Sequence, residues 1–261
     1  MSITDEGEYS KKQINTLEMI WGEGFLSPGG YDEIDLVLNN KLIENMTILD
    51  IGCGAGSAAF YFIKNHSVGH VTAVDVEKEV IDRANELKVK YNCEKFVNFK
   101  VIEPGPLAFK DSSFEMVFSK DTFLHIVDKE KLAEDLFRVI KPGGFLCVSD
   151  WMRVDDNPPS QLMRDYIKME GLSMNMCSLQ RYSKALESAG FKNIQLRDRN
   201  AWYLEVAKRE LNDLQSVYYK KLTDILGTKD ADLTIMIWEK MVEVLETGEH
   251  RPGHFYAEKL A

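Results

Sequence analysis

From about residue 46 the chain alternates short apolar runs with longer amphipathic ones. Short runs bounded by glycine or polar turns predict buried strands, and apolar spacings of three and four predict helices. MTILDI (46–51), HVTAVDV (70–76), KFVNFKV (in the region of 96–102), FEMVFS (114–119), FLCVSD (145–150) and KNIQLRD (192–198) read as strands. SAAFYFIKN (57–65), EKEVIDRANELKVKY (77–91), KEKLAEDLFRVI (129–140) and LQRYSKALESAG (179–190) read as the helices between them. Such alternation predicts an α/β fold with a mostly parallel, doubly wound sheet.

Two stretches fall outside the alternation. Residues 1–44 carry the turn-rich WGEGFLSPGG (21–30), and residues 199–247 read as two long helices split at LGTKD (226–230) before a last strand, GHFYAEKL (253–260). The expected organisation is a lid segment at 1–44, a core at 45–198 and 253–261, and a helical cap inserted at 199–252. Simple covering of the sheet edges explains both extras as readily.

Composition narrows the function classes. The chain has 261 residues, 44% hydrophobic and 28% charged, with a formal net charge of −10. No apolar run approaches the ~20 residues of a membrane span. No dense Lys/Arg run marks a nucleic-acid reader, and the acidic field suits a cationic or neutral small substrate better than a polyanion. Cys53, Cys93, Cys147 and Cys177 show no metal-like pairing, so reduced thiols and a cytoplasmic location are expected, with no metal.

Chemistry gathers where predicted strands end. LDIGCGAGSAAF (49–60) puts Asp50 at a strand end and Gly52, Gly54 and Gly56 before a helix, so the backbone can approach a ligand closely. The second strand ends in Asp75 and Val76, where an acid can accept both hydroxyls of a ribose. Glu103, after the third strand, could meet an adenine amino group. The fourth strand runs into FSKDTFLHI (118–126), with Lys120 and Asp121 at its end and His125 four residues on. Charges at a buried strand's end need solvent or a task.

LDIGCGAG, AVDV, the FEMVFS strand and IKPGGFLCVSDW together resemble the class I S-adenosylmethionine-dependent methyltransferases. The resemblance implies a Rossmann-like fold of seven strands whose last strand is antiparallel, and S-adenosylmethionine as cofactor, leaving S-adenosylhomocysteine as product. Over nearly the whole chain, TDEGEYS, IWGEGFLSPGG, FSKDTFLHI and GHFYAEK resemble the phosphoethanolamine N-methyltransferases. By that resemblance Tyr9 is the lid tyrosine that bonds a catalytic histidine, His125. Asp121 lies beside the amine, and Ser27 and Lys120 belong to the cofactor site.

The resemblance breaks at the phosphate. The family's arginine-bearing segment is here DYIKMEGLSMNMCS (165–178), keeping Tyr166 and Lys168 but rich in methionine; its C-terminal lysine position falls on Met241, and Trp151 replaces a tyrosine. A phosphate without arginine or lysine loses its strongest hydrogen bonds. Phosphoethanolamine is therefore expected to bind poorly, unless Lys168, Arg251 or His254 builds a replacement site. The expected activity is methylation of a small molecule, at an amine nitrogen. The alternatives are O- or C-methylation of a more lipophilic metabolite, or a silent cofactor-binding protein.

Overall fold

The computed structural model describes residues 9–261. The strands are β1 (Thr47–Ile51), β2 (His70–Asp75), β3 (Val97–Val101), β4 (Phe114–Lys120), β5 (Ile140–Asp150), β6 (Lys192–Asp198) and β7 (Gly253–Glu258). They form one sheet in the order β3-β2-β1-β4-β5-β7-β6. The pairs β2–β3, β1–β2, β1–β4 and β4–β5 are parallel, whereas β7 runs antiparallel to both β5 and β6. The expected Rossmann-like architecture, antiparallel last strand included, is the one observed.

Alternate residues of each central strand feed opposite layers. Ile48, Met116 and Phe118 join the core beneath α3 (Ser57–His66) and α4 (Lys78–Lys90). Leu49, Val117 and Leu146 join the core beneath α5 (Lys129–Val139) and α7 (Leu179–Ala189). Burial on both faces is why these strands read as near-continuous apolar runs.

The N-terminal segment holds α1 (Lys11–Trp21) and α2 (Gly30–Leu38). Ser10 and Gln13 form a capping box that starts α1. A third core joins α6 (Gln161–Glu170), α8 (Asn200–Gln215), α9 (Tyr219–Leu226) and α10 (Thr228–Glu246), and Leu17 and Trp21 of α1 pack against it.

Three expectations need correction. The 199–247 stretch forms three helices, because the chain turns at 216–218, where the Asp213 carbonyl accepts N–H bonds from both Ser216 and Tyr218. Helix α6 was not anticipated in the methionine-rich segment; Ser160 caps it by accepting a bond from the Met163 N–H at 3.1 Å. KPGG lies inside β5 rather than before it. The strand starts at Ile140, paired with Phe114, and absorbs the glycines through a register shift before Phe145 meets Met116.

Beneath the cap, His250 is completely buried against Trp151 and Tyr166. Its Nδ1–H donates to the Met152 carbonyl at 3.1 Å, and Nε2 has no partner among the described residues. Burial pushes its pKa down to about 4, against smaller opposing effects of the Met152 bond and Asp121. The unfolded chain takes up this proton near pH 6.5, whereas the folded chain does not, so stability falls between those two pH values. Chemical denaturation at pH 5 should show about 2 kcal/mol less stability from this group than at pH 7. An NMR titration in which the His250 ring protonates near pH 6.5 in the folded protein would contradict this.

Candidate active site

The ends of β1 and β4 are neighbours at the point where the strand order reverses, the place where open α/β sheets bind ligands. Gly52 follows β1 with a left-handed φ of 69°, and a Cβ there would lie 1.9 Å from Thr122 Oγ1. Only glycine permits the two strand ends to come so close. Gly54 also has a positive φ, and a Cβ on it would press against Leu26 of the N-terminal segment.

Two cavities open here. The first, of about 140 Å³, is lined by the glycine turn together with Asp50, Asp75, Val76, Glu77 and Lys120. The second, of about 220 Å³, lies between the N-terminal segment and the cap. Tyr9, Leu26, Ser27, Asp121 and His125 line both. The structure therefore brings together ten of the eleven residues expected from the sequence. Glu103 is the exception: it is exposed, and its neighbour Ile102 lines the first cavity instead.

The first cavity is acidic. Asp75 Oδ2 accepts the Gly54 N–H at 2.9 Å and Oδ1 accepts the Glu77 N–H at 3.1 Å, which fixes the glycine turn to β2. Each oxygen retains capacity for a second bond. Asp50 is almost wholly buried, and its Oδ2 has no partner among the described residues. Burial, and then the proximity of Asp75, push its carboxyl up to about 8. An orphaned buried carboxylate oxygen beside a backbone free of Cβ atoms fits a ligand that carries positive charge and hydroxyls. S-adenosylmethionine has both.

At the junction, Lys120 Nζ donates to Ser27 Oγ at 2.5 Å and to Asp121 Oδ2 at 2.7 Å. Asp121 is one of the few non-glycine residues with a left-handed φ, 54°. Its N–H donates to the Ser149 carbonyl at 2.8 Å, so the chain turns sharply out of β4. The turn Phe123–His125 is then anchored from β5, where Asp150 Oδ1 accepts the Leu124 N–H at 3.1 Å. Tyr182 OH donates to the other oxygen at 2.6 Å. The His125 Nδ1–H donates to the Ser173 carbonyl at 3.1 Å, which leaves Nε2 carrying the lone pair of the neutral ring.

Lys168, Arg251 and His254 do not reach either cavity. Lys168 is exposed, Arg251 pairs with Asp198, and buried His254 bonds Glu33 at 2.7 Å. Sequence reasoning missed Glu77 and Thr122 in the first cavity, and Trp21, Glu170, Tyr203 and Glu210 in the second. One signal was available. Glu210 lies on the helical spacing of Tyr203, Val206, Ala207 and Leu214, an acid on an otherwise buried apolar face.

Residues 42–190 match a family described as a methyltransferase domain. Phosphoethanolamine N-methyltransferase 1 of Arabidopsis thaliana is 31% identical over 98% of this chain and 51% of its own length. The phosphoethanolamine N-methyltransferase of Plasmodium falciparum is 23% identical over 98% of this chain and 94% of its own. The chain spans about half the length of the plant relatives it matches. Phosphoethanolamine N-methyltransferase 2 of Haemonchus contortus, solved with phosphomonomethylethanolamine and S-adenosylhomocysteine, superposes with a TM-score of 0.88 at 22% identity. That match covers 98% of this chain and 58% of the other. Family match, strand order and glycine turn agree, and the chain belongs to the methyltransferase-domain family, within its class I S-adenosylmethionine-dependent fold.

Proposed function

We propose that the protein transfers the methyl group of S-adenosylmethionine to the nitrogen of a small amine. One observation carries this reading: Tyr9, Asp121 and His125 stand where the glycine-turn cavity meets the second cavity. The cofactor, when bound, supplies a methyl carbon on a positively charged sulfur. Asp75 is assigned the ribose hydroxyls, Val76 a place along the same wall, and Glu103, beside Ile102, the adenine amino group. Asp50, whose carboxyl burial pushes up to about 8, is drawn into its ionised form by the cofactor's cationic groups, and Ser27 and Lys120 face the carboxylate.

Direct displacement needs a neutral nitrogen lone pair aligned with the methyl, so positioning supplies much of the acceleration. Asp121 orients the amine and balances its charge. His125 Nε2 is placed to accept the proton that the amine nitrogen gives up on methylation, while the cofactor, when bound, would supply the methyl group and retain the electron pair of its C–S bond. Tyr9, from the N-terminal segment, closes the junction against water. Among the described residues no helix is long and apolar enough to cross a membrane. The four cysteines are buried free thiols, which supports the cytoplasmic assignment.

The test is incubation with S-adenosylmethionine and a panel of primary and secondary amines, phospho-amines and phenols, read by mass spectrometry. An N-methylated product with one S-adenosylhomocysteine per methyl is expected. Methylation of phenol oxygens or carbon alone would refute the amine assignment.

A further inference from the structure

The second cavity contains negative charge and no permanent positive charge. Asp121, Glu170 and Glu210 line it, whereas no lysine or arginine does among the described residues, and residues 1–8 contain neither. Asp121 already has its counterion in Lys120, which faces the first cavity. Glu170 and Glu210 have none within the cavity. Glu210 is held by two neutral donors: Trp21 Nε1 at 2.6 Å on Oε1, and Trp238 Nε1 at 3.1 Å on Oε2. The two indoles stand 6.0 Å apart as a wall beside that carboxylate. On another side, Trp151 Nε1 donates to Tyr203 OH at 2.6 Å. Indole faces beside a carboxylate suit an organic cation. A phosphate in the same space would have to keep both acids protonated, and it would still lack the lysine or arginine that gives its strongest hydrogen bonds.

Resting on the amine-methylation reading, we propose that the acceptor is a small diamine without any anionic group. Its reacting nitrogen lies at Asp121 and His125, and its second, protonated nitrogen is taken by Glu210 with Glu170 nearby. The logic is one of charge: the carboxylate at the reacting end is already neutralised, and the surplus lies where the non-reacting end must sit. Burial pushes the Glu170 carboxyl up to about 7, against the pull of the Tyr166 hydroxyl, and raises that of Glu210, against the Trp238 and Trp21 bonds and the weaker pull of Arg209 and Lys120, neither of which lines the cavity. An ammonium ligand relieves that cost by favouring the ionised forms. Met241, on the same wall, adds apolar surface for the alkyl chain between the two nitrogens.

Three probes decide the matter: 1,4-diaminobutane, 1-aminopentane as its uncharged-tail analogue, and phosphoethanolamine. Each is assayed for KM and kcat with S-adenosylmethionine, and for binding to the S-adenosylhomocysteine complex. The diamine should have a KM about tenfold or more below that of 1-aminopentane, with phosphoethanolamine weakest. Glu210→Gln should raise KM about tenfold for the diamine and much less for 1-aminopentane. Met241→Lys should weaken the diamine and strengthen phosphoethanolamine, and it tests the same charge argument if Glu210→Gln does not fold.

Equal losses for both amines in Glu210→Gln would make Glu210 a clamp for the two indoles and overturn the proposal. Phosphoethanolamine binding tighter than either amine would overturn it as well. Methylation of monoamines and diamines with equal KM ends the diamine assignment alone. Cofactor binding with no amine methylated at all ends the underlying reading.

Discussion

His125→Ala is expected to lower kcat by about 10²-fold or more while leaving S-adenosylmethionine affinity nearly unchanged. The ring is held by Ser173 through Nδ1, so the basic nitrogen is set by the fold and not by the ligand. The residue lines both cavities, whereas the cofactor-side acids Asp50 and Asp75 line only the first. Its loss should therefore register in turnover and not in cofactor grip. Raising the pH should partly restore the variant, since an amine that is already neutral and loses its proton to hydroxide needs the imidazole less. Tyr9→Phe should also cost more in turnover than in cofactor binding. Steady-state kinetics with calorimetry on the same samples separates these quantities. Should His125→Ala lower the melting temperature but leave activity per folded molecule intact, the histidine is structural and the assignment fails.

Asp75→Ala is expected to weaken S-adenosylmethionine binding by about 1–3 kcal/mol, or about fivefold to 150-fold. Two effects add. The ribose hydroxyls lose a charged acceptor, and the N–H groups of Gly54 and Glu77 lose the carboxylate that ties the glycine turn to β2. Asp75→Asn separates them, because one acceptor oxygen survives to hold part of the turn. Its loss should be intermediate, with most of it due to the ribose. Calorimetry that shows wild-type affinity in Asp75→Ala would refute the ribose contact.

Much of the sheet was legible because each central strand is buried on both faces and bounded by glycines or charges. That pattern is local, so a single sequence displays it. The acids at the ends of β1 and β2, the glycine turn, and the Lys120–Asp121–His125 run were legible for the same reason. Burial makes charge at a strand end conspicuous. The break at 216–218 was not legible, since it depends on one carbonyl accepting two N–H bonds and not on any glycine or proline. Helix α6 did carry a local signal, the capping Ser160, but the methionines after it obscured the helical spacing.

What the sequence by itself determined is the cofactor half of the protein: a Rossmann-like sheet with its acids and glycines in chain order, all within about 80 residues of one another. Tyr9, Asp121 and His125 were legible too, but the far wall of the second cavity was decided by tertiary structure alone. It is assembled from Trp21 in α1, Glu170 in α6, Glu210 in α8 and Trp238 in α10, residues whose separation in the chain hides their shared charge environment. Each acid read alone is a surface residue. Only packing of the N-terminal segment against the cap buries Glu210 between Trp21 and Trp238.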